Sequence, residues 1–409
     1  MGRLLTVTKD GALVEEYQYG ANGARVSEMN ALRGISSRTM IYSDEDHLLT
    51  AGATTYQYDA DGYLLIKTKG TQITNYSYSS VGELLQVVLP DNKTIEYLYD
   101  PLGRRIAKAI NGTTTEKYLW RDLTQLLAVY DGSNNLLMRF EYADERLPAA
   151  MTSGGNTFYL TYDQVGSLRV VADASGNVVK RIDYDSFGNI INDTSPSIII
   201  PFGFAGGLED RDTGLVHFGL RDYDPDIGRW TAKDPVWFWG FNTDLYGYCQ
   251  NDPINLVDPQ GLGQVTEEDI DWVAKALYGE FRGQGEKYYE VTAWVIRNRH
   301  SYPRKRWQTY KGVVTDPWQF SCFNPDDKNR KKVDNPNLKD PRWVSARSVA
   351  KQVLNAAECE NPIPNVYNYY SPISRRPAGS VPKWARGAPT VDVEGIDPWK
   401  MTLIKLKNP

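Results

Sequence analysis

Cysteine is scarce in this chain: Cys249, Cys322 and Cys359 are odd in number and include no Cys-x-x-Cys pair. A disulfide framework and a thiolate zinc site are therefore excluded. Histidine is as scarce, with His47, His217 and His300 the only imidazoles, so neither a metal nor a cofactor is expected. No apolar run approaches the roughly 18 to 20 residues of a bilayer helix, and no membrane association is expected. The opening MGRLLTVTKDG lacks the charged-then-apolar pattern of a secretory signal, so any export must use another route. Neither sign of charge dominates, since 46 Lys and Arg face 51 Asp and Glu for a net charge of -5. With 41% hydrophobic residues the chain is neither disordered nor membrane-spanning by composition, and 409 residues suggest two or three domains. What is abundant is tyrosine, 27 residues, and glycine, 34, as many short strands joined by tight turns would require.

The tyrosines and glycines recur together. YQYDADGYLL from Tyr56, YSYSSVGELL from Tyr76 and YLYDPLGRRI from Tyr97 align on Tyr58, Tyr78 and Tyr99 and on Gly62, Gly82 and Gly103, at a period of 20 to 21 residues. Two further copies, with Tyr162, Asp163 and Gly166 and with Tyr184, Asp185 and Gly188, stand 22 apart, and YQYGANGARV near Tyr17 is a degenerate member. In each, alternation such as Thr94 to Tyr99 predicts a strand and Asp-x-x-Gly predicts the turn that reverses it.

These copies resemble the YD repeats of Rhs and teneurin-like proteins, whose hairpins wind into a hollow β-cocoon. PFGFAGGLEDRDTGLVHFGLRDYDPDIGRWTAKDP, residues 201–235, and LYGYCQNDPINLVDPQGL, residues 245–262, are similar to the Rhs-associated core. The resemblance covers about 260 residues and gives a repeat region at 1–200 and a core at 201–262. It implies an aspartyl self-cleavage site that cuts after DPQGL, between Leu262 and Gly263, with Asp234 and Asp258 as the matching acids. Two adjacent carboxylates cannot both ionise cheaply, so one would keep its proton while the other acts as base. Arg229 is expected to bias the pair and Asp252 is a third candidate, while Trp237, with Trp239 following, stands where the family often has glycine. On spacing alone, these Asp-Pro steps could equally be turn starts.

Composition changes at the same point. Residues 263–409 hold 24 Lys and Arg against 17 Asp and Glu, whereas residues 1–262 hold 22 against 34. A basic cargo suits an anionic target, either nucleic acid or a wall polymer. The pattern also turns helical: Thr266 with Asp269 forms a capping box ahead of Ile270, Val273, Ala274 and Leu277, for a helix ending near Glu280. A second helix is expected over 288–298. A third is expected from Asp340-Pro341, burying Ala346, Val349, Ala350, Val353 and Leu354, with strands around Asn365 to Tyr370.

Glu280 sits among Leu277, Tyr278 and Phe281, where partial burial would raise its pKa toward that of a general acid. The segment resembles the SleB-type cell-wall hydrolase family, in which YxEARG precedes a helix ending in an NR pair. This chain has Tyr278, Glu280, Arg282 and Gly283, then Asn298 and Arg299, then WQFSCFN at 318–324, VYNYYSP, and Pro382 with Trp384. Phe281, Gln284 and Asn365-Val366 depart from the family pattern. The resemblance implies that Glu280 protonates the glycosidic oxygen between N-acetylmuramic acid and N-acetylglucosamine. Gln319 and Tyr369 are candidate sugar contacts and Trp318 and Tyr370 candidate stacking surfaces, with core packing an equal use for each; Arg282 is a further candidate contact, with a structural pair to a carboxylate as its alternative. A lytic transglycosylase needs one acid, whereas inverting hydrolysis needs a second carboxylate about 6.5 to 9.5 Å away, for which Asp316, Asp326 and Glu286 are candidates.

The expectation is thus a multidomain chain: all-β YD hairpins forming a partial cocoon, then an α+β lysozyme- or lytic-transglycosylase-like domain at 263–409. It reads as a polymorphic toxin with peptidoglycan as substrate, a cognate immunity protein, and delivery without a signal peptide by machinery such as type VI secretion to the wall of target bacteria. Five or six repeats are too few to enclose about 147 residues, so a fragment or orphan C-terminal end is expected. The main alternative is a nuclease that holds phosphate with 304–306 and 330–332, although His300 alone disfavours His-metal chemistry. A thiol enzyme pairing Cys322 with His300 lacks an orienting acid or amide, and an adhesin would not need the helical domain.

Overall fold

The computed structural model describes residues 2–143, 146–235, 244–262, 267–281, 283–300, 304–307, 309–317, 319–354, 361–372 and 377–405. The chain divides into two units, Met1–Gln264 and Val265–Pro409. No helix among the described residues is long and apolar enough to cross a membrane.

In the first unit, nineteen described strands, from Thr6–Lys9 to Ile190–Asp193, form one antiparallel sheet in which each pairs with the next. The repeat builds its own turn. Asp59 Oδ1 accepts the amides of Asp61 at 3.0 Å and Tyr63 at 2.8 Å, and Asp100, Asp163 and Asp185 each do the same two and four residues ahead. Ser79 Oγ substitutes in the repeat that lacks Asp. A carboxylate that satisfies two turn amides competes well with continued pairing, hence Asp-x-x-Gly. The register slips at the residue before the turn, as between Gln57 and Tyr58 or Leu98 and Tyr99, so each hairpin ends in a bulge. The glycine is required twice over at Gly188, where φ is +92° and a Cβ would stand 2.3 Å from Phe204 Cγ. Gly188→Ala is expected to cost about 1–3 kcal/mol, read as a lowered denaturant midpoint.

The two tyrosines of the repeat do different work. The first is buried, as at Tyr56, Tyr76 and Tyr97, and forms the core face of the sheet. The second, half-buried, in several copies donates its hydroxyl to a backbone carbonyl about one hairpin earlier: Tyr99 to Leu84 O at 3.0 Å, Tyr142 to Leu126 O at 2.8 Å, Tyr162 to Pro148 O at 3.0 Å. These hydroxyls tie successive hairpins together. Tyr142→Phe is expected to lower unfolding free energy by about 1 kcal/mol.

A four-stranded sheet, Leu208–Glu209, Val216–Phe218, Arg221–Asp224 and Arg229–Trp230, follows in the same unit. Its segment RDYDPD presents acids at every second position to cations from separate hairpins. Asp222 meets Arg105 at 2.8 Å, Asp224 meets Lys67 at 2.8 Å, and Asp226 meets Arg38 at 2.8 Å and also Arg33. Nearby, Asp210 takes Lys108 at 3.0 Å and the Tyr97 hydroxyl at 2.7 Å. Burial opposes ionisation of Asp222, but Arg105 and His217 outweigh it and hold its carboxyl below the ordinary 3.8. The stability this adds is present above pH 3.8 and is lost as pH falls through the depressed value.

The second unit is helical: α1 (Glu267–Glu280), α2 (Glu286–His300), α3 (Tyr310–Thr315), α4 (Arg330–Asp334) and α5 (Pro341–Leu354). The expected helices are present, the second one turn longer than its periodicity indicated; Thr266, the expected cap, lies outside the described residues. Ile270, Val273, Ala274 and Leu277 on α1 and Ala346, Val349, Ala350, Val353 and Leu354 on α5 are buried, with α5 against α1 and α2. A small sheet of Asn368–Tyr370, Thr402–Ile404 and Thr390–Val391 completes an α+β unit.

Candidate active site

Glu280 is the last residue of α1, where the helix brings it to the short turn Ser321–Phe323. Its Oε1 accepts hydrogen bonds from the Ser321 hydroxyl at 3.0 Å and the Cys322 amide at 2.8 Å. The preceding residue allows this approach: a Cβ on Gly279 would stand 2.5 Å from Cys322 Cβ. Burial raises the Glu280 pKa above its ordinary value; the bonds from Cys322 and Ser321 oppose the rise, and the Asp327 carboxylate adds to it. Glu280 and Gly279 line an open cleft of about 550 Å³ with Lys328, Asn329, Lys332 and Arg342. A carboxyl whose pKa is raised by burial, at the wall of an open polar cleft, is suited to donate its proton to a leaving oxygen.

The remaining sequence candidates are distributed unevenly. Tyr369 packs against Phe281, ring centres 5.6 Å apart, and burial followed by the charge of Glu280 raises its pKa well above 10.0, so it stands close behind the acid. Tyr370 meets Trp384 edge-on at 6.1 Å. Neither tyrosine, nor Gln319, lines the Glu280 cleft. Arg282 and Trp318 lie outside the described residues. The NR pair organises the strand that carries Tyr369: Asn298 Nδ2 donates to Ile363 O and Val366 O, both at 2.9 Å, and Arg299 Nη2 to Asn368 Oδ1 at 3.2 Å.

Of the proposed second carboxylates, Asp316 is buried against the Trp307 indole at 2.9 Å and beside Arg306 at 3.4 Å, and Glu286 accepts the Ser345 hydroxyl at 2.7 Å. Asp326 is exposed, and the acid whose charge reaches Glu280 is its neighbour Asp327, which the sequence did not single out. Cys322 meets Glu280 through its amide; burial and that carboxylate push its thiol up, which weakens a thiolate mechanism.

In the first unit, Asp234 and Asp258 are brought together by a residue that sequence reading missed. Arg221 Nη2 lies 2.9 Å from Asp234 Oδ2 and 3.0 Å from Asp258 Oδ2, so one guanidinium bridges both carboxylates. Arg229, expected in this role, is instead engaged by Asp244 at 2.5 and 2.8 Å. The register explains the exchange: Arg221 begins its strand, whereas Arg229 pairs with Asp224 at the strand's other end. Asp252 binds Asn255 within its own turn at 2.9 Å. Asp258 Oδ1 also accepts the Leu262 amide at 3.1 Å, folding DPQGL back on the acid. Gly263, Trp237 and Trp239 lie outside the described residues.

A sheet of YD hairpins precedes a helical unit with a half-buried acid, and comparison with known proteins matches the two parts to two families, a YD shell and a wall-hydrolase domain. The Teneurin YD-shell family matches residues 1–254, and the Cell Wall Hydrolase family matches residues 283–396, a stretch that begins just after Glu280. The chain belongs to the teneurin YD-shell family. It is 31% identical to Teneurin-3 of Danio rerio over 63% of its length and 32% identical to Teneurin-1 of Homo sapiens over 66%. In both comparisons the chain spans about a tenth of the relative. Among solved structures, the Photorhabdus luminescens Tc holotoxin pore is similar over 63% of this chain and 17% of that one, at 18% identity and a TM-score of 0.38.

Proposed function

We propose that the second unit cleaves the glycan strands of bacterial peptidoglycan, with Glu280 as the acid that protonates the glycosidic oxygen between N-acetylmuramic acid and N-acetylglucosamine. One observation carries the reading: a half-buried carboxyl with a raised pKa lines an open cleft in the unit that contains the Cell Wall Hydrolase match. Attack by the sugar's own hydroxyl gives an anhydro product, and attack by water held by a second acid gives a reducing end. The test is release of soluble muropeptides from purified sacculi by the full chain, with mass spectrometry to tell anhydro from reducing termini. Absence of any release overturns the reading.

The same proposal assigns residues 201–262 as an Rhs-associated core that cuts itself between Leu262 and Gly263 and frees residues 263–409 as a toxin. The bridged Asp234 and Asp258 beside Leu262 support it. A wall-cleaving domain attached to a YD shell further supports delivery by a contact-dependent machine such as type VI secretion, and a cognate immunity protein in the producer. The nuclease alternative is less well supported, because Arg306 lies 3.4 Å from Asp316 and Arg330 lies 2.9 Å from Asp334, which spends cations that phosphate would need.

A further inference from the structure

We propose that the Glu280 cleft selects glycans that carry a carboxylate, and that Lys328 and Lys332 read it. The inference rests on Glu280 as the acid of a glycan-cleaving site and adds the class of strand that the site accepts. Among the described residues three cations line the cleft, and they are not equivalent. Arg342 is held by Asp340, through Nε at 2.9 Å and Nη2 at 3.0 Å. Asn329 turns its amide to Gly279 O at 3.3 Å. The adjacent Arg330 is paired with Asp334. Lys328 and Lys332 are exposed, and among the described residues neither has a carboxylate within 4.0 Å. Two carboxylates of this region are otherwise engaged: Asp327 accepts the Asn329 amide at 2.7 Å, and Glu280 is held by Ser321 and Cys322.

Two uncompensated ammonium groups in the same cleft as a proton donor favour a ligand with negative charge close to the bond being broken. A strand of alternating N-acetylglucosamine and N-acetylmuramic acid has such a charge at every second sugar. It is the lactyl carboxylate when the strand is stripped of peptide, and a stem-peptide carboxylate when peptide is attached. Chitin has the same linkage and no acid. Because both lysines are solvent-exposed, the preference is moderate and weakens with salt.

The test uses the full chain on four substrates of equal length: peptide-bearing strands, peptide-stripped strands, stripped strands with the lactyl carboxyl methylated, and chitin oligosaccharides. At low salt, kcat/KM on the better acidic strand is expected to exceed that on the methylated strand and on chitin by about tenfold or more, and the gap to shrink at high salt. A preference for stripped strands assigns the lactyl group, and a preference for peptide-bearing strands assigns the stem peptide; either supports the proposal. Lys328→Gln/Lys332→Gln is expected to raise KM for the acidic strand about tenfold, with the loss in KM rather than kcat and with unchanged melting. Titration of the same glycans into the Glu280→Gln chain reads selection without turnover. Equal binding or turnover of chitin and acidic strands, or a double variant whose KM does not move, overturns the inference. Absent turnover together with retained discrimination by the Glu280→Gln chain sinks the catalytic assignment instead.

Discussion

Glu280→Gln is expected to lower muropeptide release from purified sacculi by about a thousandfold while leaving the fold intact, since removal of a general acid typically forfeits about 10²- to 10⁴-fold. The amide keeps the shape and can still meet Ser321 and the Cys322 amide, which now hold Oε1 at 3.0 and 2.8 Å, so a folded protein with a silent site is the informative outcome. The pH profile supplies an independent readout. Burial, with Asp327, raises the Glu280 pKa, so the carboxyl retains its proton to higher pH than an exposed glutamate. Release by the unmodified chain is expected to fall as pH rises through that elevated value, and Asp327→Asn is expected to move the falling limb to lower pH by removing a like charge. A Glu280→Gln protein with unchanged release would falsify the assignment of the acid.

Purified full-length chain is expected to separate into residues 1–262 and 263–409 on a denaturing gel, and Asp258→Asn to run as one band. Asp258 has two positions to hold: Oδ2 lies 3.0 Å from Arg221 Nη2, and Oδ1 accepts the Leu262 amide at 3.1 Å. One carboxylate therefore joins the bridged acid pair to the residue that precedes the proposed cut. Arg221→Met is also expected to leave one band, because it removes the guanidinium that holds Asp234 and Asp258 in one place. Asp244→Asn, which disturbs the separate pair with Arg229, is expected still to be cut. A single band from the unmodified chain, or two bands from Asp258→Asn, sinks the self-cleavage proposal.

What could be read from the sequence is what acts over short spans. The hairpins were legible because each turn is closed by an aspartate upon its own next four residues, as Asp100 is upon Leu102 and Arg104. Glu280 was legible because helical periodicity places it at the end of an apolar face. The Ser321–Phe323 contact was not, since the clue was the small residue before the acid, Gly279, and the partner is a turn some forty positions later. Arg221 and Arg229 lie within the same motif, and only strand register decides which guanidinium reaches Asp234 and Asp258. The partners of Asp222, Asp224 and Asp226 were out of reach for the same reason: nothing local links RDYDPD to Arg105, Lys67 and Arg38.

The RDYDPD ladder also sets when this unit can finish folding. The cations emerge first during synthesis, and their aspartates follow 117 residues after Arg105, 157 after Lys67 and 188 after Arg38. Until then the inner face of the sheet carries unanswered charge beside its tyrosines, and closing loops of that length is entropically slow. The ladder can close only once residues 222–226 have been made, 32 residues ahead of Asp258. On the self-cleavage proposal, Leu262 is therefore made only after every member of this ladder is already in the chain.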